Sequence, residues 1–475
     1  MASGRIGGPT IPVTRTTRRR LMLGGLAALT SAAGVAAAAC GQVPVDPIAP
    51  ARSYRSPGPA KLLVQMDGTW ETHRVLREQL LPIFKRRHAN IEVTLRTGAV
   101  ELPTLRREVA AGGMPDLALY GAAQSPALAE AKLTVPLDSR LSSWGQLGDF
   151  LPGSLTSSQW SGKQWGLPLS TEVRLHLWRK NVLADVEIDR IPTTWDEAVD
   201  AIRRSVLVER GAIVREGNPR PEGWTAFSAA LLTLGKTFIT AGHAECGGAE
   251  GVAAMAHLNS VYKATRPTGN QPIRGRVTSF PFATGSLAHT VESATTLRAL
   301  AQTNPQQLDD VVIGDPPVPS LASAPSVSLS AAPVTSQVAP PSTPKNRPAA
   351  LLSTDWLAIG SLSKAQDQAW AFPQYLLEPS TMLAFNETRY FLPPRKSLGA
   401  MGYMRQPHLQ RMAEVAGRFG HALPRVPDDT VFRNTLRNAV DDMFAGRTTP
   451  EDATSAVSRR LQQEVERLGF KGDTT

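Results

Sequence analysis

Lys61-Leu62-Leu63-Val64-Gln65-Met66, followed after Asp67-Gly68-Thr69-Trp70 by a stripe of Val75, Leu76, Leu80, Ile83 and Phe84, decides the fold class. The first run is a short apolar strand. The stripe recurs at helical steps and ends near Arg87, so an amphipathic helix follows the strand. Ile91-Glu92-Val93-Thr94-Leu95 reads as a second strand. Leu102 to Ala111 reads as a second helix, closed by Gly112-Gly113, a pair suited to a left-handed C-cap. Met114-Pro115 then hands over to a third strand, Asp116-Leu117-Ala118-Leu119-Tyr120. This βαβαβ alternation predicts an α/β protein with a parallel sheet covered by helices.

Further along, Thr194 and Glu197 have capping-box spacing, so a helix should open there and run through Ala198, Ile202 and Val206. Lys364 to Leu377, Arg411 to Phe419, Pro424 to Gly446 and Thr449 to Leu468 read as later helices. The segment from Asp315 to Ala349 is dense in Pro, Ser, Ala and Val, has no period, and reads as a mobile insertion. At 475 residues the chain is too long for one core and should form two lobes.

The start of the chain states an address. Thr17-Arg18-Arg19-Arg20-Leu21-Met22, the Ala/Gly/Leu run to Ala39 and then Cys40-Gly41 form a twin-arginine export signal ending at a lipidation cysteine. On that reading Cys40 becomes the lipid-modified first residue of the mature protein. The competing reading is an uncleaved membrane anchor, since the apolar run is just long enough to span. Both put the body outside the cytoplasm. Gly41 to Ala60 then serves as a flexible tether.

Composition excludes several classes. Five of the charges behind the formal +10 (Arg5, Arg15, Arg18, Arg19 and Arg20) lie in the leader, which leaves +5 for the rest. No basic run approaches a nucleic-acid footprint. With Cys40 committed to lipid, Cys246 is left alone in a loop-like stretch, so no structural disulfide is expected within the chain. The chain carries no P-loop, no His-Glu-x-x-His, no Gly-x-Ser-x-Gly and no Cys cluster. Neither an enzyme nor a cofactor or metal site is expected.

Five places, in order, carry a resemblance. Ala110 to Leu117 resembles the "aaGxxPDv" handover from helix to strand of a known family. Trp165-Gly166-Leu167-Pro168 with Leu175 to Leu183 resembles "ygLP … lyyNkdlf", and Pro192 to Glu197 resembles "PpTWdE". Trp356 to Ile359 with Ser363-Lys364 and Ala369 to Phe372 resembles "laI…SKn…AwkF", and Leu392 to Ser397 resembles "lPprks". Together they are similar to the extracellular solute-binding proteins of ABC importers, the carbohydrate-type class that includes maltose-binding protein. The resemblance covers about Lys61 to Leu468, outside the Pro/Ser insertion. It implies a two-lobed periplasmic-binding-protein-like fold (type II), each lobe a sheet flanked by helices, joined by a hinge. By that analogy residues 1–40 are the signal, 41–60 the tether, 61–168 and 350–392 the N-lobe, 169–316 and 393–470 the C-lobe, and 317–349 the insertion.

Ligands of parallel α/β sheets lie beyond the carboxyl ends of the strands. That rule selects Asp67, Thr69 and Trp70 after the first strand, Arg96 after the second and Tyr120 after the third. Asp67 and Arg96 offer polar groups, and Trp70 and Tyr120 offer aromatic faces to sugar C–H groups. The plainer alternative is that Asp67 and Trp70 only cap and staple the following helix. From the second lobe come Thr171, Glu172 and Trp178, the last resembling a family aromatic that stacks on sugar or, by strand alternation, facing the core. Trp224 and Trp356 are secondary candidates, whereas Trp195 and Trp370 are assigned to helix packing. Where sugar binders carry "F..GkaAM...G.w", this chain has Phe282 to Thr295, with His289 at the methionine and Thr295 at the aromatic position.

The resemblance thus implies a monomeric lipoprotein that captures a small polar solute, a sugar or sugar derivative, and delivers it to the permease subunits of an ABC importer. A sensor or scaffold of the same fold without a transport role is the alternative, and an exported hydrolase is a distant third.

Overall fold

Strand β1 (Ala60–Met66) lies between β2 (Ile91–Thr97) and β3 (Leu117–Tyr120) and runs parallel to both. The computed structural model describes residues 58–100, 102–121, 124–209, 212–215, 223–265, 282, 285, 287–320, 346–423 and 429–469. Between β1 and β2 the chain passes through α1 (Trp70–Val75), a π-helical turn at Leu76–Leu80, and α2 (Leu81–Arg87). Pro82 has no N–H to give the preceding turn, and the ladder there widens so that Leu81 bonds back to the carbonyl of Leu76. Leu76, Leu80 and Phe84 are buried, as the stripe predicts.

Helix α3 (Leu102–Ala110) stops where expected: Gly112 takes φ +80° and the N–H of Gly113 returns to the carbonyl of Glu108 at 2.9 Å. The Pro-Asp handover has a structural reason. The Asp116 carboxylate accepts the N–H of Leu63 at 2.8 Å and the hydroxyl of Ser363 at 2.6 Å, tying β1 to the Ser363-Lys364 turn.

The remaining elements that matter here are β4 (Leu167–Val173), β5 (Leu175–Arg179), α4 (Trp195–Arg204), α5 (Gly223–Thr233), α6 (Gly248–Thr265), β6 (His289–Glu292), α7 (Ala294–Thr303), β7 (Val311–Gly314), β8 (Ala350–Ile359), α8 (Gln366–Leu376), α9 (Pro379–Glu387), α10 (Pro407–Phe419), β9 (Gly420–Ala422), α11 (Asp429–Phe444) and α12 (Pro450–Leu468). Two sheets result. The larger has the order β9-β8-β3-β1-β2, with β4 also paired to β8. The smaller is antiparallel, in the order β6-β5-β7. Strand β8 runs antiparallel to β3 and β4, so the first sheet is mixed, not wholly parallel. Only Arg174 separates β4 from β5, and β4 pairs with β8 across a bulge at Asp355/Trp356. The β4–β8 pair therefore carries the chain from one sheet to the other.

The capping box of α4 forms as read: the Thr194 hydroxyl accepts the N–H of Glu197, and the Glu197 carboxylate accepts that of Thr194. Hydrogen bonds from Arg190 and the Thr193 backbone hold the Glu197 carboxyl at about 2. Trp195 and Trp370 are buried in helix packing, as expected. The indole N–H of Trp195 donates to the carbonyl of Pro317 at 3.0 Å, and its backbone N–H donates to that of Val318. The first residues assigned to the Pro/Ser-rich segment are thus docked on α4, while 321–345 lie outside the described residues. So do Cys40, the leader and most of the tether. Cys246 is buried in the core beside Phe227 and Met255, deeper than its loop-like sequence implies.

Candidate functional site

The carboxyl end of β1 brings Asp67 and Trp70 to the surface together. Asp67 is exposed and turns its carboxylate back to the N–H of Gly68 at 2.8 Å. The Thr69 hydroxyl caps α1 by accepting the N–H of Thr72 at 3.2 Å. Trp70, the first residue of that helix, is 72% exposed, with the Arg74 guanidinium 5.5 Å from its ring centroid. It does not staple the helix to the core. A tryptophan left in solvent at a strand end is what an aromatic platform requires.

Charged groups from the crossing strands and the second sheet gather nearby. Glu172 on β4 and Glu292 at the end of β6 flank Arg174, at 3.6 Å and 3.5 Å. On β8, Asp355 pairs with Arg389 at 3.4 Å and accepts the hydroxyl of Ser170. Burial pushes the Asp355 carboxyl up to about 6 against the pull of Arg389, and the charges of Glu172 and Asp67 add to the rise. Helix α7 begins at this place. Ser293 caps it, the Thr295 hydroxyl donates to the carbonyl of Arg389 at 3.4 Å, and Arg298 reaches far enough to help lower Glu71 of α1. Asp67, Glu71, Glu172, Asp355 and Glu292 thus share a neighbourhood with Arg174, Arg298 and Arg389, and Arg74 lies over the exposed indole. Such a surface accepts and donates hydrogen bonds to a hydroxyl-rich solute and stacks on one of its faces.

The other candidates fall elsewhere. Tyr120 and Trp356 are buried against each other, ring centroids 5.2 Å apart, and the Trp356 indole N–H donates to the carbonyl of Gly121. Trp178 is buried and packs 4.0 Å from His289. Trp224 is buried with its ring parallel to Phe238 at 5.2 Å. Arg96 is spent on Glu108 at 2.9 Å and on the side chain of Gln65. Tyr120, Trp178 and Trp356 lie on strands whose faces helices cover, which leaves these aromatics no path to solvent, and Trp224 sits in the core on α5. Sequence reasoning did not single out Arg174, Glu292, Asp355, Arg389 or Arg298. The available signal was a charge inside an apolar strand, as in Leu352-Ser353-Thr354-Asp355-Trp356.

The sequence matches the profile described as "Bacterial extracellular solute-binding protein" over residues 79–410. The chain belongs to that family. Solute-binding proteins of this kind are binding receptors and not enzymes, and their place of work is outside the cytoplasm. Solved structures similar to this solute-binding protein include the sugar-binding protein MalE from Xanthomonas citri, with a TM-score of 0.69 at 16% identity over 86% of this chain and 98% of that one. An ABC transporter solute-binding protein from Thermotoga lettingae, bound with α-D-tagatose, gives 0.67 at 18% identity over 85% and 99%. Maltose-bound MalE3 of T. maritima gives 0.65 at 20% identity over 85% and 99%. At these identities the likeness establishes the fold, the two-lobed α/β architecture that the five motifs imply. No curated protein matches the sequence.

Proposed function

We propose that this solute-binding protein closes on a small hydroxyl-rich solute, a sugar or sugar derivative, at the surface formed by Asp67, Trp70 and Glu172. It then presents the closed form to the permease subunits of an ABC importer. The observation that carries the reading is Trp70, 72% exposed at the end of β1 and set among paired carboxylates and guanidiniums. Thr69 fixes its position by capping α1. The family supports the reading, and so do the tagatose and maltose held by proteins of the same fold. Closure is driven by the solute's greater affinity for the closed arrangement, with β4, β8 and the segment at Leu392 as the crossing strands.

Screening the full-length protein by thermal shift against sugars, polyols, amino acids and phosphate esters tests this. Stabilisation by a sugar-like solute, lost in Trp70→Ala, is the expected result. Silence across the whole panel would favour a sensor or scaffold, a reading to which Thr295 in place of the aromatic lends support. The export signal supports the further reading that lipid on Cys40 anchors the protein to the outer face of the cytoplasmic membrane. Release of Cys40→Ala into the soluble fraction tests that anchor.

A further inference from the structure

Behind Arg174 a pocket separates part of the second sheet from its helices. Strands β5 and β6 turn His176, His289 and Val291 toward α4, α5 and α6, and a cavity of about 190 Å³ remains between them. Val291, in register with His176 in the middle of the paired strands, is 37% exposed, so the space over it opens to solvent. The cavity's volume is on the scale of the roughly 150 Å³ at which an engineered cavity takes up benzene.

Its lining is specific. Ala226 and Ala229 of α5 supply a methyl wall. Trp195 and His257 stack at 4.2 Å with their planes 13° apart, and His176 and His289 stack at 5.3 Å with their planes 30° apart. Nδ1 of His176 lies 3.2 Å from Nε2 of His289, so one hydrogen joins the two imidazoles. Burial lowers His176 to about 4 and His257 to about 3, which leaves both rings neutral at physiological pH. Among the described lining residues, charge enters at one end, in the Arg174–Glu292 pair.

We infer that this cavity is a binding compartment for a small uncharged aromatic or heteroaromatic group, held between the Trp195–His257 and His176–His289 ring pairs. A flat molecule meets aromatic and imidazole side chains on two walls and methyl groups on a third. A hexose does not fit this chemistry, because hydroxyls around its whole rim would face alanine and valine and be left unpaired. A metal does not fit either, since among the described residues no three His, Cys, Asp or Glu side chains converge on one point. The inference does not depend on what the neighbouring cleft holds. Because Arg174 walls both, the aromatic group is either a free molecule or the apolar end of a solute whose polar part lies in the cleft.

Titration of the full-length protein with phenol, phenyl β-glucoside and glucose, followed by NMR of the indole and imidazole protons, tests the inference and separates the two sources. Phenol is expected to bind saturably and shift the Trp195 and His257 signals. Val291→Phe and Ala229→Leu, which fill the space from opposite walls, should each weaken it about tenfold or more. Phenyl glucoside binding far more tightly than phenol marks a group carried by the solute, and phenol binding as well or better marks a free ligand. Absence of saturable phenol binding, or undiminished binding in both filled variants, overturns the inference. Phenol binding should persist in Trp70→Ala, so this inference and the cleft reading fail separately.

Discussion

Thr171 and Thr354 hold their hydroxyls 3.1 Å apart in the strand pair that joins the two sheets. Thr171 also meets the hydroxyl of Ser154 at 2.9 Å and exchanges both backbone hydrogen bonds with Leu392, at 2.9 and 2.8 Å. Three crossing segments and a short helix therefore converge on one buried residue. Thr171→Val preserves its shape and strands two buried hydroxyls. The expected loss is about 1–3 kcal/mol of stability, read from urea unfolding midpoints, with Thr171→Ser much milder.

Trp70 contributes little to folding, since its ring lies in solvent. Trp70→Ala should leave stability within about 0.5 kcal/mol of the wild type. Its solute affinity should fall by about tenfold or more, the loss of a stacked aromatic face. Calorimetric titration with the solute found by thermal shift measures the second effect, and a melting curve the first. Unchanged affinity would remove Trp70 from the site.

Gly166 is required by space, not by backbone angle. A Cβ there would lie 2.7 Å from the carbonyl oxygen of Leu357 and collide with the ring of Trp356. Trp356 is fully buried and has nowhere to go. Gly166→Ala should lower stability by about 1–3 kcal/mol, an overpacking cost visible as a lower melting temperature.

Acid should weaken the protein through the cavity histidines. His176 and His257 take up protons near 6.5 when unfolded but only near 4 and 3 when folded. Their contribution is complete above pH 6.5 and is lost as pH falls below it. Asp355, raised to about 6, works in the opposite sense: its share is present at low pH and lost as pH rises through 6. Two groups with larger shifts outweigh one, so the melting temperature should drop from pH 7 to pH 4.5. The drop should shrink in His257→Gln. A flat profile, or the same drop in His257→Gln as in the wild type, would contradict this account.

Much of the fold was legible because its signals are local. The stripe from Val75 to Phe84, the glycine pair after α3 and the Thr194–Glu197 box each encode an element end or face that tertiary contacts did not override. The exposed place of Trp70 was legible too, since a residue just past a strand end is positioned by chain order alone. Tyr120, Trp178 and Trp356 were not. Alternation assigns a strand residue to a face but does not say whether a helix covers that face, and here helices cover both. The charges at Arg174, Glu292, Asp355 and Arg389 come together only when β4, β6 and β8 meet, and no spacing in the sequence records that meeting.

Cys246 lies in the core, where burial raises its thiol to about 12. A thiol held protonated and out of reach is silent toward maleimide dyes. A pair of cysteines placed on exposed positions of the two sheets can therefore carry donor and acceptor fluorophores without the native residue first being removed. Opening and closing around a cargo then become distances read in real time from single molecules.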